Sequence, residues 1–200
     1  MERAKEILEF WFGPEEELGW DFDPARYELW FGRSAETDRL VTERFGEDAR
    51  AAAAGELDDW AATPRGRMAL LLLLDQFPRH IHRGRPEAFA QDPKAQALVV
   101  EGLALGHDQA LSPIERSFFY LPLEHAENRE LQARSVELYQ ALADAAPEAV
   151  KDRYLSFLDY AIRHKEIIDR FGRFPHRNAI LGRESTEKEE AFLLLPGSSF

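Results

Sequence analysis

Thr63-Pro64 opens a stretch whose middle, Met68 to Leu74, is an unbroken apolar run with no polar face. A threonine cap followed by proline at the first helical position is a helix start, because the missing proline N–H is not needed there. A helix that is apolar all round belongs at the centre of a fold and not on its surface. Helical neighbours must therefore surround it. The run is also far shorter than the ~20 residues that cross a bilayer.

Those neighbours are legible from helical punctuation, which recurs along the whole chain, whereas strand-like alternation does not. Ile7, Leu8 and Trp11 share a helical spacing that ends at Gly13-Pro14. An acidic and aromatic connection with Trp20 and Phe22 leads to a short helix from Arg26 to Phe31. Ser34 is an N-cap for a helix carrying Val41, Phe45, Ala49 and Ala52 on one side, closed by Gly55. Phe77-Pro78 is expected to end the central helix, and Asp92-Pro93 repeats the cap-plus-proline signal. Ser112-Pro113-Ile114-Glu115 is a capping box; Pro122 is expected to kink or interrupt the helix it opens. Asn128 starts a helix to about Ala145, and the longest candidate runs from Pro147 to Phe171 with Gly172 as its cap. Thr186 to Glu189 form a last capping box. The expectation is one all-α domain over residues 1–200. It is an irregular antiparallel array or bundle of about eight to ten helices, too many for a four-helix bundle.

No regular repeat emerges, but two short echoes do. Trp11-Phe12-Gly13 returns as Trp30-Phe31-Gly32, and Phe77-Pro78-Arg79-His80 is echoed by Phe174-Pro175-His176-Arg177. Both members of the second echo follow a helix end.

Composition narrows the function. The net charge of −12 repels polyanions, so nucleic acid is not an expected partner. The absence of cysteine removes disulfides and thiolate metal sites and, with no apolar signal core after Met1, points to a soluble cytoplasmic protein away from membranes. No glycine-rich phosphate loop, nucleophile elbow or His-Glu-x-x-His helix is present. His80-x-His82 is a two-ligand spacing and a weak metal signal, so no metal or cofactor is expected.

Three segments place polar groups in apolar surroundings. Asp75 follows Leu71 by one helical turn, so its carboxylate is buried at least in part and needs a partner. It either caps the next turn, pairs with a local arginine, or serves a site. Arg116, Tyr120 and Glu124 align at four-residue spacing, while Glu124 and His125 point about 100° apart on a helix and form no ready-made dyad. His164 lies on the apolar stripe Phe157, Ala161, Ile168, Phe171, where a satisfied core histidine is the plain alternative to a functional one. Arg79, Arg83 and Arg85 lie in one segment, and Arg173 and Arg177 flank another, in an otherwise acidic chain. Such concentration requires anions: Asp75, Glu124 and Asp159, or a ligand's carboxylate or phosphate.

These segments also resemble a family of bacterial proteins known as domain of unknown function 924. The resemblance rests on Leu8-Glu9-Phe10-Trp11-Phe12-Gly13, on Leu72 through Arg79, and on Glu115-Arg116 with Pro122-Leu123-Glu124-His125. It continues through Arg163-His164, Phe171 to Asn178 and Pro196 to Phe200. It implies a helical fold similar to tetratricopeptide arrays and no agreed activity, substrate or cofactor. His80 and His82 depart from the family's usual Asn and Phe, which weakens the metal reading further.

The matching positions are expected to line a common cavity. Arg79, Arg83, Arg116, Arg163, Arg173, Arg177 and Asn178 are the candidate ligand-binding groups, and His125, His164, His176, Asp75 and Glu124 the candidate catalytic ones. The primary reading is a site for a small anionic ligand, with binding or catalysis undecided. The other is a protein-interaction scaffold whose polar cluster is purely structural.

Overall fold

The computed structural model describes residues 2–199. It is helical from end to end, with no strand among the described residues. The helices are α1 (Glu2–Phe12), α2 (Ala25–Phe31), α3 (Ala35–Ala54), α4 (Pro64–Leu71), α5 (Phe77–Ile81) and α6 (Asp92–Ala104). They continue as α7 (Pro113–Glu124), α8 (Arg129–Ala145), α9 (Lys151–Phe171) and α10 (Glu187–Leu193). No helix among them is long and apolar enough to cross a membrane.

The caps fall where the side chains direct them. Ser34, Thr63 and Asn128 each accept a backbone N–H at the start of α3, α4 and α8. Ser112 and Thr186 form complete capping boxes with Glu115 and Glu189. Asp92, read as a cap, is instead the first residue of α6, and its carboxylate is used elsewhere.

Met68 through Leu74 are all fully or almost fully buried, so the apolar run is the centre of the fold as expected. α1, α3, α6 and α7 pack around it. One continuous core joins these helices to α8 and α9, with Trp11, Phe45, Phe77 and Phe118 in edge and tilted contact. A smaller cluster of Ile167, Ile168 and Phe174 closes the far end of α9.

Two expectations about proline are corrected. Phe77-Pro78 does not end the central helix. Between α4 and α5, Leu72–Gln76 form a π-helical turn in which the Phe77 N–H donates to the Leu72 carbonyl. Proline has no N–H, and its ring would collide with the carbonyl four residues back in a regular helix. The wider turn absorbs both problems and lets the helix run on to Ile81. Pro122 likewise does not interrupt α7, because it lies in the last turn and the helix stops two residues later at Glu124.

Candidate functional site

The π turn, the end of α7, the middle of α9 and the segment after α9 surround a cavity of about 760 Å³. Two side-chain staples hold its walls. Gln132 on α8 donates to the carbonyls of Glu124 and Ala126 (2.5 and 2.8 Å), fixing the chain as it leaves α7. Glu127 accepts the Phe174 N–H (2.8 Å) and both terminal nitrogens of Arg183 (2.6 and 2.9 Å), which pins the segment after α9 against the same turn. Gly172, at φ 72°, makes the reversal that brings this segment back; a side chain would strain that left-handed backbone.

Asp75 lies behind the cavity wall and is 1% exposed. Its Oδ1 is 2.9 Å from Nδ1 of His125 and 3.1 Å from Nη1 of Arg79, and Gln76 donates to its Oδ2 at 2.5 Å. Burial alone would raise this carboxyl, but Arg79 and His125 together hold it well below the usual carboxylate range. An ionised carboxylate only accepts, so Nδ1 of His125 carries the proton and donates it. His125 lines the cavity, and its Nε2 is therefore the basic nitrogen. Burial, assisted by Arg79, keeps this imidazole below its ordinary value against the pull of Asp75, so it is neutral at pH 7.

Arg79 also makes a two-pronged ion pair with Asp92, 3.1 Å at each nitrogen. Asp92 is shared. Nη1 of Arg177 lies 3.4 Å from the same carboxylate and donates to the His125 carbonyl at 3.2 Å. The faces of the Arg177 guanidinium are covered by Phe89 and Phe174, at 4.7 and 4.5 Å from the ring centroids. All of its hydrogen bonds among the described residues run through Nη1, and its Nε has no partner. Burial, then the nearby Arg79, lowers this guanidinium to about 10, a sign of incomplete neutralisation.

On the opposite side, Glu124 is 4% exposed, with Oε1 3.1 Å from Nδ1 of His164. That nitrogen donates to the Tyr160 carbonyl at 2.8 Å, so the His164 imidazole is fixed with Nε2 unprotonated. Burial and then the Asp75 charge push the Glu124 carboxyl up to about 8. At neutral pH it is mostly a neutral acid, able to donate a hydrogen bond. Burial holds His164 well below its ordinary value, and burial with Arg177 takes His176 to about 4. The cavity thus holds neutral histidines, a protonated acid and buried arginines.

Of the residues nominated from sequence, Arg79, Arg83, Glu124, His125, Arg163, His164, His176 and Arg177 line the cavity, with Asp75 directly behind His125. Arg83 is at its rim, where it pairs with Asp38 at 2.6 Å. Three lie outside it. Arg116 is turned to Tyr120 (3.2 Å) and Asp108. Arg173 is clamped to Glu189 (2.6 and 2.8 Å), and Asn178 joins Ser185 and Arg183. The anions expected for the arginines were Asp75, Glu124 and Asp159. The structure uses Asp75 and Asp92 instead, while Asp159 is exposed and Glu124 is no partner of either Arg79 or Arg177. The spacing alone left His80-x-His82 open as a metal pair, but Nδ1 of His80 lies 2.9 Å from Asp38. No group of three or more metal-ligating side chains occurs among the described residues.

Sequence reasoning missed Asp92, Gln76, Tyr139 and the aromatic wall of Tyr27, Trp30, Phe31 and Phe89. The need of two arginines for two carboxylates was the one signal pointing to Asp92.

Fold and site define a class: an all-helical protein with a buried Asp/Arg/His cluster opening on a cavity. The chain belongs to the family described as bacterial protein of unknown function (DUF924), whose model matches residues 7–197. It is similar over nearly its whole length to the structure of a protein of unknown function, ATU0120, from Agrobacterium tumefaciens. The two share 39% identity with a TM-score of 0.80, covering 96% of this chain and 97% of that one. No curated protein matches.

Proposed function

We propose that the cavity is a site for a small anionic ligand, held at Arg177 and presented to the basic Nε2 of His125. Arg177 carries this reading. It is 6% exposed, faces a cavity, shares its nearest carboxylate with Arg79 at the longer distance, and retains an unpartnered Nε. A buried cation so incompletely neutralised is costly, and an anion entering beside it offsets that cost. The size fits, since small-molecule sites span roughly 300–1,000 Å³.

The cluster is also arranged for proton transfer. Asp75 fixes the tautomer and orientation of His125, as a base needs, and Glu124 holds a proton at neutral pH as an acid does. Most buried polar groups in folded proteins are hydrogen-bonded, so an orphaned nitrogen on a cavity-lining arginine calls for an explanation. A scaffold reading draws support from the helical-array architecture alone.

The test is thermal stability of the purified protein against small carboxylates, phosphates and their neutral amide or alcohol analogues. A ligand that binds only the folded state adds RT ln(1 + [L]/Kd), about 2.7 kcal/mol at a hundredfold excess over Kd. Anions are expected to raise the melting temperature and their neutral analogues not to. Equal shifts from both, or none from either, would remove the anion site.

A further inference from the structure

The cavity has a floor and a mouth. Glu124, His164 and Arg177 line it and are buried, so they mark the floor. Lining residues that are also exposed to solvent mark the mouth: Tyr27 and Phe31 of α2, Arg83 and Gly84 after α5, Tyr160 of α9, and Ser199. Ser199 differs from the rest, because it belongs to the short segment that follows α10. From Phe192, whose ring meets that of Phe171, to Gly197 beside Arg163, this segment runs back along about two turns of α9.

The hold on the segment is uneven. α10 is anchored, since Arg173 clamps Glu189 (2.6 and 2.8 Å) and the Phe192 and Phe171 ring centroids lie 5.0 Å apart. Beyond that anchor Leu194 and Leu195 are 86% and 53% exposed, so burial of their apolar surface contributes little. Ser198 ties the segment to itself: its N–H donates to the Leu195 carbonyl at 3.3 Å and its hydroxyl to the Leu193 carbonyl at 3.1 Å. Gly197 is the resting point. Its φ is 76°, and a Cβ there would stand 2.8 Å from Nη2 of Arg163, so glycine both permits the left-handed turn and lets the backbone lie against that lining arginine. A segment firm at one end, folded on itself and poor in buried apolar contacts belongs to the low-stability parts of a fold that open locally.

We infer that residues 194–199 form a strap across the mouth of the cavity, hinged at the end of α10 and resting on Arg163, which governs entry to His125. Its meaning as a gate for a ligand rests on the anion site proposed above, whereas its control of access does not. Opening the strap leaves Asp75, Arg79 and His125 in place, because the π turn, α5 and the end of α7 carry them. Loosening it therefore speeds entry and release together.

Acylation of imidazole by diethyl pyrocarbonate at pH 7, located by peptide mass spectrometry, reads access directly and needs no ligand. His125 lines the cavity with its basic Nε2, and His107, beside Arg67 and outside the lining, is the reference. Gly197→Ala keeps the full chain but puts a Cβ on left-handed backbone and against Arg163, a strain that favours the open strap. His125 is expected to react at least about fivefold faster in this variant, with His107 unchanged. Ser198→Ala removes the hydroxyl bond to Leu193 without adding an atom beside Arg163, and is expected to act in the same direction. Equal His125 rates in the wild type and both variants, or His107 accelerating in step with His125, would overturn the strap. Phosphate or acetate is expected to slow the His125 reaction in the wild type. Acceleration by the variants without that protection would leave the strap standing and overturn the anion site.

Discussion

Asp75 and His125, fifty residues apart in sequence, meet with Oδ1 and Nδ1 at 2.9 Å, and this one contact fixes which nitrogen of the imidazole is the base. Asp75 gets there from the π turn that directly precedes Pro78, and His125 as the residue that follows α7. Pro78, which reads as a helix breaker, thus adjoins the turn that positions the site.

Replacing Asp75 by Asn leaves Arg79 paired with Asp92 alone and removes the charge that supports His125. Breaking one partner of a buried ion pair costs roughly 3 kcal/mol or more, so Asp75→Asn is expected to lower the unfolding free energy measured in urea by about that amount. The acid limb of stability should change as well. A carboxyl lowered in the folded state contributes stability that is present above its unfolded pKa, near about 4, and lost as pH falls through the lower folded value. The variant should lose this part of its acid sensitivity in urea titrations below pH 5.

Glu124 has the opposite sign. Its folded-state carboxyl is raised to about 8, so the folded protein binds an extra proton between the unfolded value and pH 8. Its contribution is most favourable below the unfolded pKa and erodes as pH rises toward 8. Glu124→Gln removes that linkage, so at pH 8 it is expected to exceed the wild type in unfolding free energy by on the order of 2 kcal/mol, with the difference vanishing toward pH 4. A residue that costs stability at working pH is the kind retained for function.

The same ionisation acts on ligand. The groups around Glu124 are Asp75, His125, His164 and Tyr139, and none of them adds positive charge as pH rises. Carboxylate affinity is expected to fall as pH passes about 8 in the wild type and to stay level in Glu124→Gln, measured by calorimetry from pH 6.5 to 9.

Arg173 is a control. It stands among the arginines that the sequence singled out, yet it clamps Glu189 at the start of α10. Arg173→Ala is expected to loosen α10, seen as faster amide exchange there, while leaving ligand affinity unchanged. Weakened binding in this variant would mean that the site extends beyond the cavity described.

Gly102 tests the packing of α6 against α4 and α7. A Cβ there would come within 2.7 Å of both Arg67 Cδ and Phe119 Cζ. Overpacking of this kind costs about 1–3 kcal/mol, so Gly102→Ala should lower the melting temperature with no change at His125.

The fold was readable because its signals are local. Ser34, Thr63, Ser112, Asn128 and Thr186 each act within one turn of the backbone, and the Met68–Leu74 run has only one place to go. The site was readable in part. The echo of Phe77-Pro78-Arg79-His80 in Phe174-Pro175-His176-Arg177 did mark two segments that converge, since Arg79 and Arg177 share Asp92. Asp92 itself was hidden because Asp before Pro at a helix start has a sufficient local explanation. Arg116, Arg173 and Asn178 looked like their neighbours in sequence, but each finds a partner within about 20 residues of chain, which no residue spacing announces.

The central claim is that Arg177 and His125 together meet an anion, and side-chain nitrogen NMR tests it at the atoms concerned. In the free protein at pH 7, His125 is expected as the neutral tautomer with the proton on Nδ1, and the Arg177 Nε–H without a hydrogen-bonded partner. Titration with a small carboxylate or phosphate that raises the melting temperature should then shift His125 Nε2 and the Arg177 guanidinium together, saturating with a single affinity. A proton on Nε2 of free His125, or resonances of both residues that stay fixed while the anion binds elsewhere, would contradict the account.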